Sequence, residues 1–374
     1  MSLSRSTPQA ASIIVSVLLI EVAQAFGKSI GEASQMMTFS SVLGTLTALA
    51  LTLLTVRYSP THLHNIGLAI CLLSSLGCVL APAYPVLFVL YGLCGVGPSL
   101  VTPMTTTITG ELTSGEERSR SLGIIIAAPA IFYLFGILIV GQISEWRLAF
   151  AYFAAPLLAL SLLASITVIP MIESRGEKES LSAGLRRIYE NRSATSCLIA
   201  AAITGVWTIV VSFGASYYRE VHGIPLSTVT PIIAGMALTF ASGALAGGRF
   251  MPRLGVKKAT TISQILLGAS FIVVMISRNT LVSVASGFFL SLTSGINVTA
   301  LNGLTLNQVP EYRGSMMSLF TASASLGGSL NLALMGILLT SYGWAHASTV
   351  VGILGIISGV LVHLFVTENP QQND

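Results

Sequence analysis

Residues 345–366 read AHASTVVGILGIISGVLVHLFV, a run of 22 positions without a single Asp, Glu, Lys or Arg. A helix rises about 1.5 Å per residue, so this run is long enough to cross the hydrocarbon core of a bilayer, which is about 30 Å thick. Its polar residues do not alternate with apolar ones as they do in a barrel strand. The run is therefore predicted to be a transmembrane helix, because a helix satisfies its own backbone hydrogen bonds in lipid.

Similar apolar runs fill most of the chain. They cover residues 11–27, 36–56, 63–80, 84–110, 122–143, 148–169, 196–217, 228–250, 259–277, 281–305, 316–340 and 345–366. We number these twelve runs spans 1 to 12. The pattern predicts an all-α membrane protein with twelve transmembrane helices, of which the first is short.

The composition of the 374 residues excludes most other classes of protein. Apolar residues make up 53% and charged residues only 9%, with a mean hydropathy of +0.82. A soluble domain carries about 25% charged residues, so soluble enzymes and nucleic-acid-binding proteins are excluded. The net charge of +4 predicts no nucleic-acid partner, because the basic residues lie in short loops. The four cysteines lie in apolar runs without a Cys-x-x-Cys pair, so we expect no disulfide framework, metal or cofactor.

The loops predict the orientation of the chain in the membrane. With both termini on the cytoplasmic side, 14 of the 18 Lys and Arg residues fall on that side. The four that fall outside are Lys28, Arg147, Arg219 and Arg278. Cytoplasmic loops are enriched in Lys and Arg, so this bias favours cytoplasmic termini and an even number of spans.

One long polar stretch, residues 171–195, divides the spans into two sets of six. It predicts an N-terminal six-helix bundle over 1–170, a cytoplasmic connecting loop over 171–195, and a C-terminal six-helix bundle with a short tail over 196–374. The stretch is interpreted as a solvated connector with an interfacial helix around Leu181–Tyr189. A regulatory or partner-binding loop is the alternative.

The two sets of six spans are related by an internal repeat. Four pairs of landmarks recur at nearly one offset: Arg57 and Arg253, Arg118 and Arg313, Trp146 and Trp344, and Gly97 and Gly295. The offsets lie between 195 and 198 residues. Two halves related by a parallel repeat are typical of a class of secondary transporters whose substrate site lies near the bilayer midplane.

Several loop motifs resemble those of the major facilitator superfamily. The stretch GGRFMPRLGVKK, residues 247–258, is similar to the family's Gly-x-x-x-Asp-Arg-x-Gly-Arg-Lys loop motif, and TLLTVRYSPTH, residues 52–62, is a degraded copy. The chain also resembles the family at the starts of three spans. The similar stretches are residues 116–118 before span 5, residues 310–314 before span 11 and residues 146–150 at the start of span 6. The chain as a whole resembles the twelve-span drug-efflux branch, whose members are drug/proton antiporters. The resemblance implies two pseudo-symmetric six-helix bundles.

The resemblance also implies a cytoplasmic gate. An Arg in a short turn can cap a neighbouring helix or pair with a carboxylate when the inner face closes. Val56 and Pro252 stand where the family has Asp, so Glu111 and Glu311 are the expected acidic partners. The candidate gate residues are Arg57, Glu111, Arg118, Arg253, Glu311 and Arg313. Simple anchoring by the positive-inside rule is the alternative for each Arg.

In this fold, spans 1, 4, 7 and 10 are expected to line a substrate cavity. The cavity candidates are Tyr91, Thr102, Tyr133, Trp207, Asn297, Asn302 and Asn331. Asn is costly against lipid, so the Asn side chains are expected to face protein or water. The alternative is interhelical hydrogen bonding without a substrate. A cavity with so few charges favours a lipophilic or neutral polar compound, because a phosphate or dicarboxylate would call for a buried Arg or Lys.

The residues that would couple transport to protons are largely absent from the sequence. The only Asp is Asp374, and Tyr91 stands where proton-coupled relatives use an Arg in span 4. Glu21 is the remaining proton-coupling candidate, since burial would raise the pKa of a carboxyl toward neutrality. A water-exposed Glu at the outer end of span 1 is the alternative.

These observations predict a cell-membrane transporter and not an enzyme. It would move a small, lipophilic organic compound by alternating access, in the manner of drug efflux. Two alternatives stay open: facilitated diffusion or uptake of a neutral solute without proton coupling, and a transport-inactive sensor or assembly partner. The expected partners are the lipid bilayer, a small organic substrate and protons, and the expected state is a monomer.

Overall fold

A computed structural model describes residues 1–112, 115–171, 181–309 and 313–368 of the chain. Within these ranges the regular structure is helical and contains no strand. In the described part of the chain, eight helices are long and apolar enough to cross a membrane, or nine if one bent pair counts as a single span. The chain is thus an all-helical multi-pass membrane protein, and the exact count of twelve spans stays a prediction.

The helices of the first half follow the predicted runs. They are Ser2–Ser6, Ala10–Val17 and Leu19–Ala25 in span 1, Ile30–Arg57 in span 2, Pro60–Leu80 in span 3, Tyr84–Leu93 and Val96–Leu112 in span 4, Gly115–Ile143 in span 5, and Trp146–Ala149 with Ala155–Val168 in span 6. A 3₁₀ turn, Thr7–Gln9, and a π-helical turn, Phe150–Ala154, join the pieces of spans 1 and 6.

Span 1 begins at Ser2, nine residues before the apolar run, and is therefore longer than the sequence predicts. Its polar first turns can be buried because their hydroxyls find partners. Thr7 and Ser161 of span 6 exchange a hydrogen bond of 2.9 Å, and Ser6 donates to the Ser2 carbonyl. The hydropathy pattern does not predict this first part of span 1, because it treats the hydroxyls as polar although their hydrogen bonds are made inside the bundle.

The helices of the second half also follow the predicted runs. They are Leu181–Glu190 in the connecting stretch, Arg192–Ile203 and Val206–His222 in span 7, Leu226–Leu254 in span 8, Val256–Ile276 in span 9, Thr280–Leu306 in span 10, and Arg313–Phe365 across spans 11 and 12. The last of these is interrupted at Gly343, which has a φ of 76°. This left-handed backbone conformation favours glycine.

The chain divides into two compact units. Unit 1 comprises Met1–Glu177 with Pro225–Pro231, and unit 2 comprises Lys178–Ile224 with Ile232–Asp374. One apolar cluster of unit 1 consists of Leu51, Leu63, Leu100, Met104 and Ile108. A larger cluster of unit 2 includes Cys197, Leu304, Met316, Phe320 and Val362. All four cysteines, Cys71, Cys78, Cys94 and Cys197, are buried and unbridged.

Small residues let the helices of unit 1 approach closely. A Cβ atom on Gly44 of span 2 would lie 2.8 Å from the Gly95 carbonyl oxygen and 2.9 Å from the Ser99 hydroxyl of span 4. A Cβ atom on Gly95 would overlap the Ser40 carbonyl. Close backbone contacts of this kind are typical of packing between membrane helices.

Unit 2 repeats this crossing between spans 8 and 10. A Cβ atom on Gly243 would overlap the Leu292 carbonyl, and one on Gly295 would overlap the Phe240 carbonyl. The predicted repeat therefore has a counterpart in packing, because glycines hold equivalent pairs of spans together in both units.

The interruptions in spans 1 and 7 lie beside polar side chains. In span 1 the pieces Ser2–Val17 and Leu19–Ala25 meet at an angle of 68°. The Ser16 hydroxyl donates to the Ile13 carbonyl just before this bend, and such a bond bends helices. In span 7 the helix stops at Ile203 and resumes at Val206. A break leaves backbone groups to be satisfied by side chains of neighbouring helices.

Candidate functional site

A set of polar side chains on span 1 faces spans 4 and 5 within unit 1. We call Arg5, Ser12 and Ser16 the span 1 stripe. Ser12 lies seven residues and Ser16 eleven residues after Arg5, which places them about two and three helical turns further along nearly the same face. Helices of span 1 pack against both span 4 and span 5. The stripe thus places one cation and two hydroxyls on the face of span 1 that meets spans 4 and 5.

Arg5 crosses from span 1 to span 4. Its Nη1 donates to the Thr102 carbonyl oxygen at 3.0 Å and to the Thr106 Oγ1 at 2.9 Å. Arg5 is half-buried, whereas Thr106 is exposed. The Arg5 Nε is buried without a hydrogen-bond partner among the described residues. The guanidinium therefore keeps donor capacity beyond the two bonds that fix its position.

The two hydroxyls of the stripe lie next to predicted cavity residues. Ser12 lies next to the Tyr91 hydroxyl of span 4, and Ser16 next to the Tyr133 hydroxyl of span 5. Tyr91 is 2% exposed, Tyr133 is half-buried and Ser12 is exposed. Each pair offers both a donor and an acceptor, so a polar ligand could exchange hydrogen bonds with it.

In unit 2 the break in span 7 is satisfied by side chains of other spans. Asn331 of span 11 donates from Nδ2 to the Ile203 carbonyl at 3.0 Å and to the Gly327 carbonyl at 2.8 Å. A Cβ atom on Gly205 would collide with the Asn331 side chain, so glycine is needed there. Asn331 is 3% exposed, and its Oδ1 has no partner among the described residues.

Hydroxyl and amide groups complete the surroundings of the break. The Thr204 hydroxyl bonds Ser358 of span 12 at 2.7 Å and receives a hydrogen bond of 3.2 Å from Gln264 of span 9. Ser358 also donates to the Ala200 carbonyl. Gln264 is fully buried, and its Oε1 has no described partner. These bonds hold three spans at the break without any charged group.

The remaining predicted cavity residues of unit 2 have separate surroundings. Asn297 is buried and accepts a hydrogen bond of 3.2 Å from Ser263 of span 9. Asn302 donates to the Val298 carbonyl of its own helix at 2.6 Å. Trp207 stacks on Phe240 of span 8, with ring centres 4.3 Å apart. Trp207 and Asn331 therefore flank the span 7 break, whereas Asn297 and Asn302 bond within or between the helices of spans 9 and 10.

The structure says little about the predicted gate residues and about Glu21, the proton-coupling candidate. Glu21 is half-buried in the helix that follows the span 1 bend, where it interacts with other groups of the chain. The side chains of Arg57, Glu111, Arg118, Arg253 and Arg313, and residue Glu311 as a whole, lie outside the described residues. The cytoplasmic gate stays a prediction.

Sequence reasoning overlooks Arg5, Ser12 and Ser16, and also Gln264. From the sequence alone, Arg5 is treated only as a cytoplasmic charge. In the structure its neighbours Ser4, Ser6 and Thr7 are buried, so this polar stretch belongs to the bundle. The spacing of seven and four residues between Arg5, Ser12 and Ser16 is the available signal, since it marks one face of a helix.

The sequence matches the family model described as Major Facilitator Superfamily over residues 7–261 and again over residues 196–374. The chain belongs to the major facilitator superfamily. Because members of this family are transporters, the protein is a multi-pass membrane transporter and not an enzyme.

Two curated relatives illustrate the similarity. The uncharacterized MFS-type transporter YceJ of Bacillus subtilis (strain 168) is 24% identical over 308 residues, which cover 80% of this chain and 78% of the relative. The probable sulfoacetate transporter SauU of Cupriavidus necator is 22% identical over 164 residues, which cover 44% of this chain and 38% of the relative.

Solved structures of the superfamily share the fold. A point mutant of the nucleoside transporter NupG matches with a TM-score of 0.82 and 14% identity, over 97% of both chains. The D-xylose-proton symporter matches with a TM-score of 0.81 and 12% identity, over 98% of this chain and 96% of the other. Both proteins are named for polar substrates, so the fold match gives no preference for the predicted drug-efflux branch.

Proposed function

We propose that this protein is a secondary-active transporter that carries a small polar organic compound across the cell membrane by alternating access. The observation that carries the proposal is the span 1 stripe, together with its partners Tyr91 and Tyr133. Ionisable and hydroxyl groups inside a membrane bundle are costly, and they commonly mark a substrate path. Interhelical bonding is the structural alternative, and the experiment below separates the two.

The partial likeness to the probable sulfoacetate transporter SauU supports a small polar substrate. Sulfoacetate carries two negative charges, so it is tested beside small polar compounds that carry one charge or none. A monomeric protein with both termini in the cytoplasm is part of the same proposal, since the distribution of Lys and Arg favours that orientation.

Drug-like export is the second candidate function. The stacked pair of Trp207 and Phe240 supports it, because an outer face of the pair, in an uncharged part of unit 2, can stack on a flat apolar compound. Glu21 would then be the proton-coupling residue of an antiporter. Flux that requires a pH gradient and is lost in Glu21→Gln would favour this candidate.

Flux in sealed proteoliposomes tests the proposal. The purified protein is expected to exchange at least one labelled polar compound of a screening panel, which includes sulfoacetate, above the level of empty vesicles. Tyr91→Phe combined with Tyr133→Phe removes two hydroxyls, each worth about 1 kcal/mol, so uptake should fall roughly tenfold or more. Tyr152→Phe is the matched control, because Tyr152 is 74% exposed.

Absence of flux for every compound in the wild-type protein would refute a transport function. Normal flux in the well-folded Tyr91→Phe, Tyr133→Phe variant would instead show that these hydroxyls only hold helices together.

A further inference from the structure

The Arg5 guanidinium is a cation without a counter-ion in the described part of the chain. The described ion pairs are Lys28 with Glu32 and Arg186 with Glu190, and neither involves Arg5. Glu21, in the same span, follows sixteen residues later, beyond the bend. A half-buried charge that lacks an opposite charge is unfavourable, so a bound anion would stabilise this site.

The position of the guanidinium is fixed by neutral acceptors. The Thr102 carbonyl and the Thr106 hydroxyl accept from Nη1, which holds the planar group against span 4. These acceptors orient the group without neutralising its charge. The buried, unpartnered Nε and the second terminal nitrogen can therefore present two parallel N–H groups, the arrangement that matches a carboxylate or sulfonate.

The hydroxyls of the stripe lie further along span 1, on the C-terminal side of Arg5. Ser12 and its neighbour Tyr91 lie about two turns from Arg5 along span 1, and no second cation belongs to the stripe. A ligand that complements the stripe would carry one anionic group at one end and an uncharged polar remainder. Thr106, which accepts from Arg5, is exposed, but the Arg5 Nε is itself buried, so an anion can pair with Nε only after neighbouring side chains move aside.

We propose that Arg5 binds the anionic group of the transported compound, and that the substrates are small organic carboxylates or sulfonates with a single negative charge. The inference rests on the proposed transport function, and it reverses the neutral or lipophilic substrate that the sparse charge of the sequence predicts. Arg5 determines substrate charge, and the hydroxyls of Ser12 and Tyr91, about two helical turns away, contact the neutral part only of a ligand long enough to reach them.

Binding of matched probes to the full chain tests the assignment. Lactate and isethionate serve as anionic probes, and lactamide serves as the uncharged match of lactate. In wild-type protein in lipid nanodiscs, both anions should bind saturably in calorimetry, with at least tenfold higher affinity than lactamide. Arg5→Gln should weaken both anions at least tenfold and leave lactamide unchanged. Arg5→Lys keeps the charge without the planar group, so it should weaken the anions by a smaller factor.

The control variant is Arg187→Gln, which removes an exposed positive charge from the helix Leu181–Glu190. It should bind the probes as the wild type does. Should Arg5→Gln fail to fold, Arg5→Lys together with the ratio of lactate to lactamide affinity in the wild type still decides the question.

Three results would overturn the proposal: no saturable anion binding to the wild type, equal affinity for lactate and lactamide, or unchanged anion binding in folded Arg5→Gln. These results differ from a failure of the proposed function. A wild-type protein that transports an uncharged compound but does not bind anions refutes only the role of Arg5. A protein that transports nothing refutes the function itself.

Discussion

The two units pack alike but carry different chemistry. In unit 1, Gly95 brings span 4 against span 2, and in unit 2, Gly295 brings span 10 against span 8. The polar groups do not correspond in this way. Unit 1 contains the cationic, hydroxyl-bearing span 1 stripe, whereas the broken span 7 of unit 2 is surrounded by the neutral side chains of Thr204, Gln264 and Asn331. Each half of the duplicated scaffold therefore contains the same kind of close helix contact within itself, while the polar residues of the two halves differ.

The strongest test of the shared packing is a Cβ atom added at the crossing points. Gly95→Ala and Gly295→Ala should each destabilise the protein by roughly 1–3 kcal/mol, because the new methyl group overlaps a backbone carbonyl that cannot move freely. Thermal unfolding in detergent, followed by size-exclusion chromatography, measures the loss.

Gly214→Ala is the matched control for this pair, since its Cβ would meet only an Ile233 methyl group at 3.9 Å. The packing of the two units would not correspond if Gly295→Ala were as stable as Gly214→Ala while Gly95→Ala was destabilised.

Sequence patterns predict the scaffold better than the site. Landmark pairs such as Trp146 with Trp344 depend on spacing alone and are visible in the sequence. The packing, however, pairs Gly295 with Gly95, because the predicted Gly97 meets Cys71 of span 3 instead of span 2. The partners of polar groups depend on how helices meet, which spacing does not determine. Tyr91 and Tyr133 can be identified as polar residues inside spans, but their neighbours on span 1 become apparent only in the structure.

The breaks in the helices are also beyond sequence reasoning. Neither Pro nor Gly stands at the Leu18 bend, so the usual signals of a kink are missing there. In span 7 the Gly205 signal is present, but a glycine in a membrane helix is ordinary. Its meaning depends on the Asn331 side chain that fills the space beside it.

A substitution at the span 7 break sharpens the contrast between the units. Asn331→Leu removes hydrogen bonds to the Ile203 and Gly327 carbonyls, which should cost about 1–3 kcal/mol of stability. Faster amide hydrogen exchange around residues 203–207 should accompany the loss. The bend in unit 1 should be unaffected, because it depends on a serine within its own helix.

Asn302→Leu is the control, since the described bond of Asn302 is to a carbonyl of its own helix. Equal losses in both variants would show that Asn331 has no special role at the break.

The smallest expected effect concerns the start of span 2. Ser29 and Glu32 form a reciprocal cap there, whereas the first turn of span 8 contains no acidic residue. The Ser29 backbone N–H, the Ser29 hydroxyl and Lys28 lower the pKa of the Glu32 carboxyl below its ordinary value of 4.5. A lowered pKa means that the cap contributes above pH 4.5 and is lost as the pH falls through the lowered value.

Hydrogen exchange at the amides of residues 30–33 should therefore accelerate as the pH drops below about 4.5, beyond the intrinsic change in rate. Glu32→Gln should remove this pH dependence. The first turn of span 8 provides the internal reference, and an identical acid response there would contradict the role of the cap.

The burial of all four thiols has a practical consequence. A membrane-impermeant maleimide should leave the native chain unlabelled, because Cys71, Cys78, Cys94 and Cys197 are enclosed by neighbouring helices. Single cysteines introduced at exposed Ala83 and Lys258 can then report which side of the bilayer each loop occupies. Reagent added from one side should modify only one of the two, and the native cysteines need not be removed first.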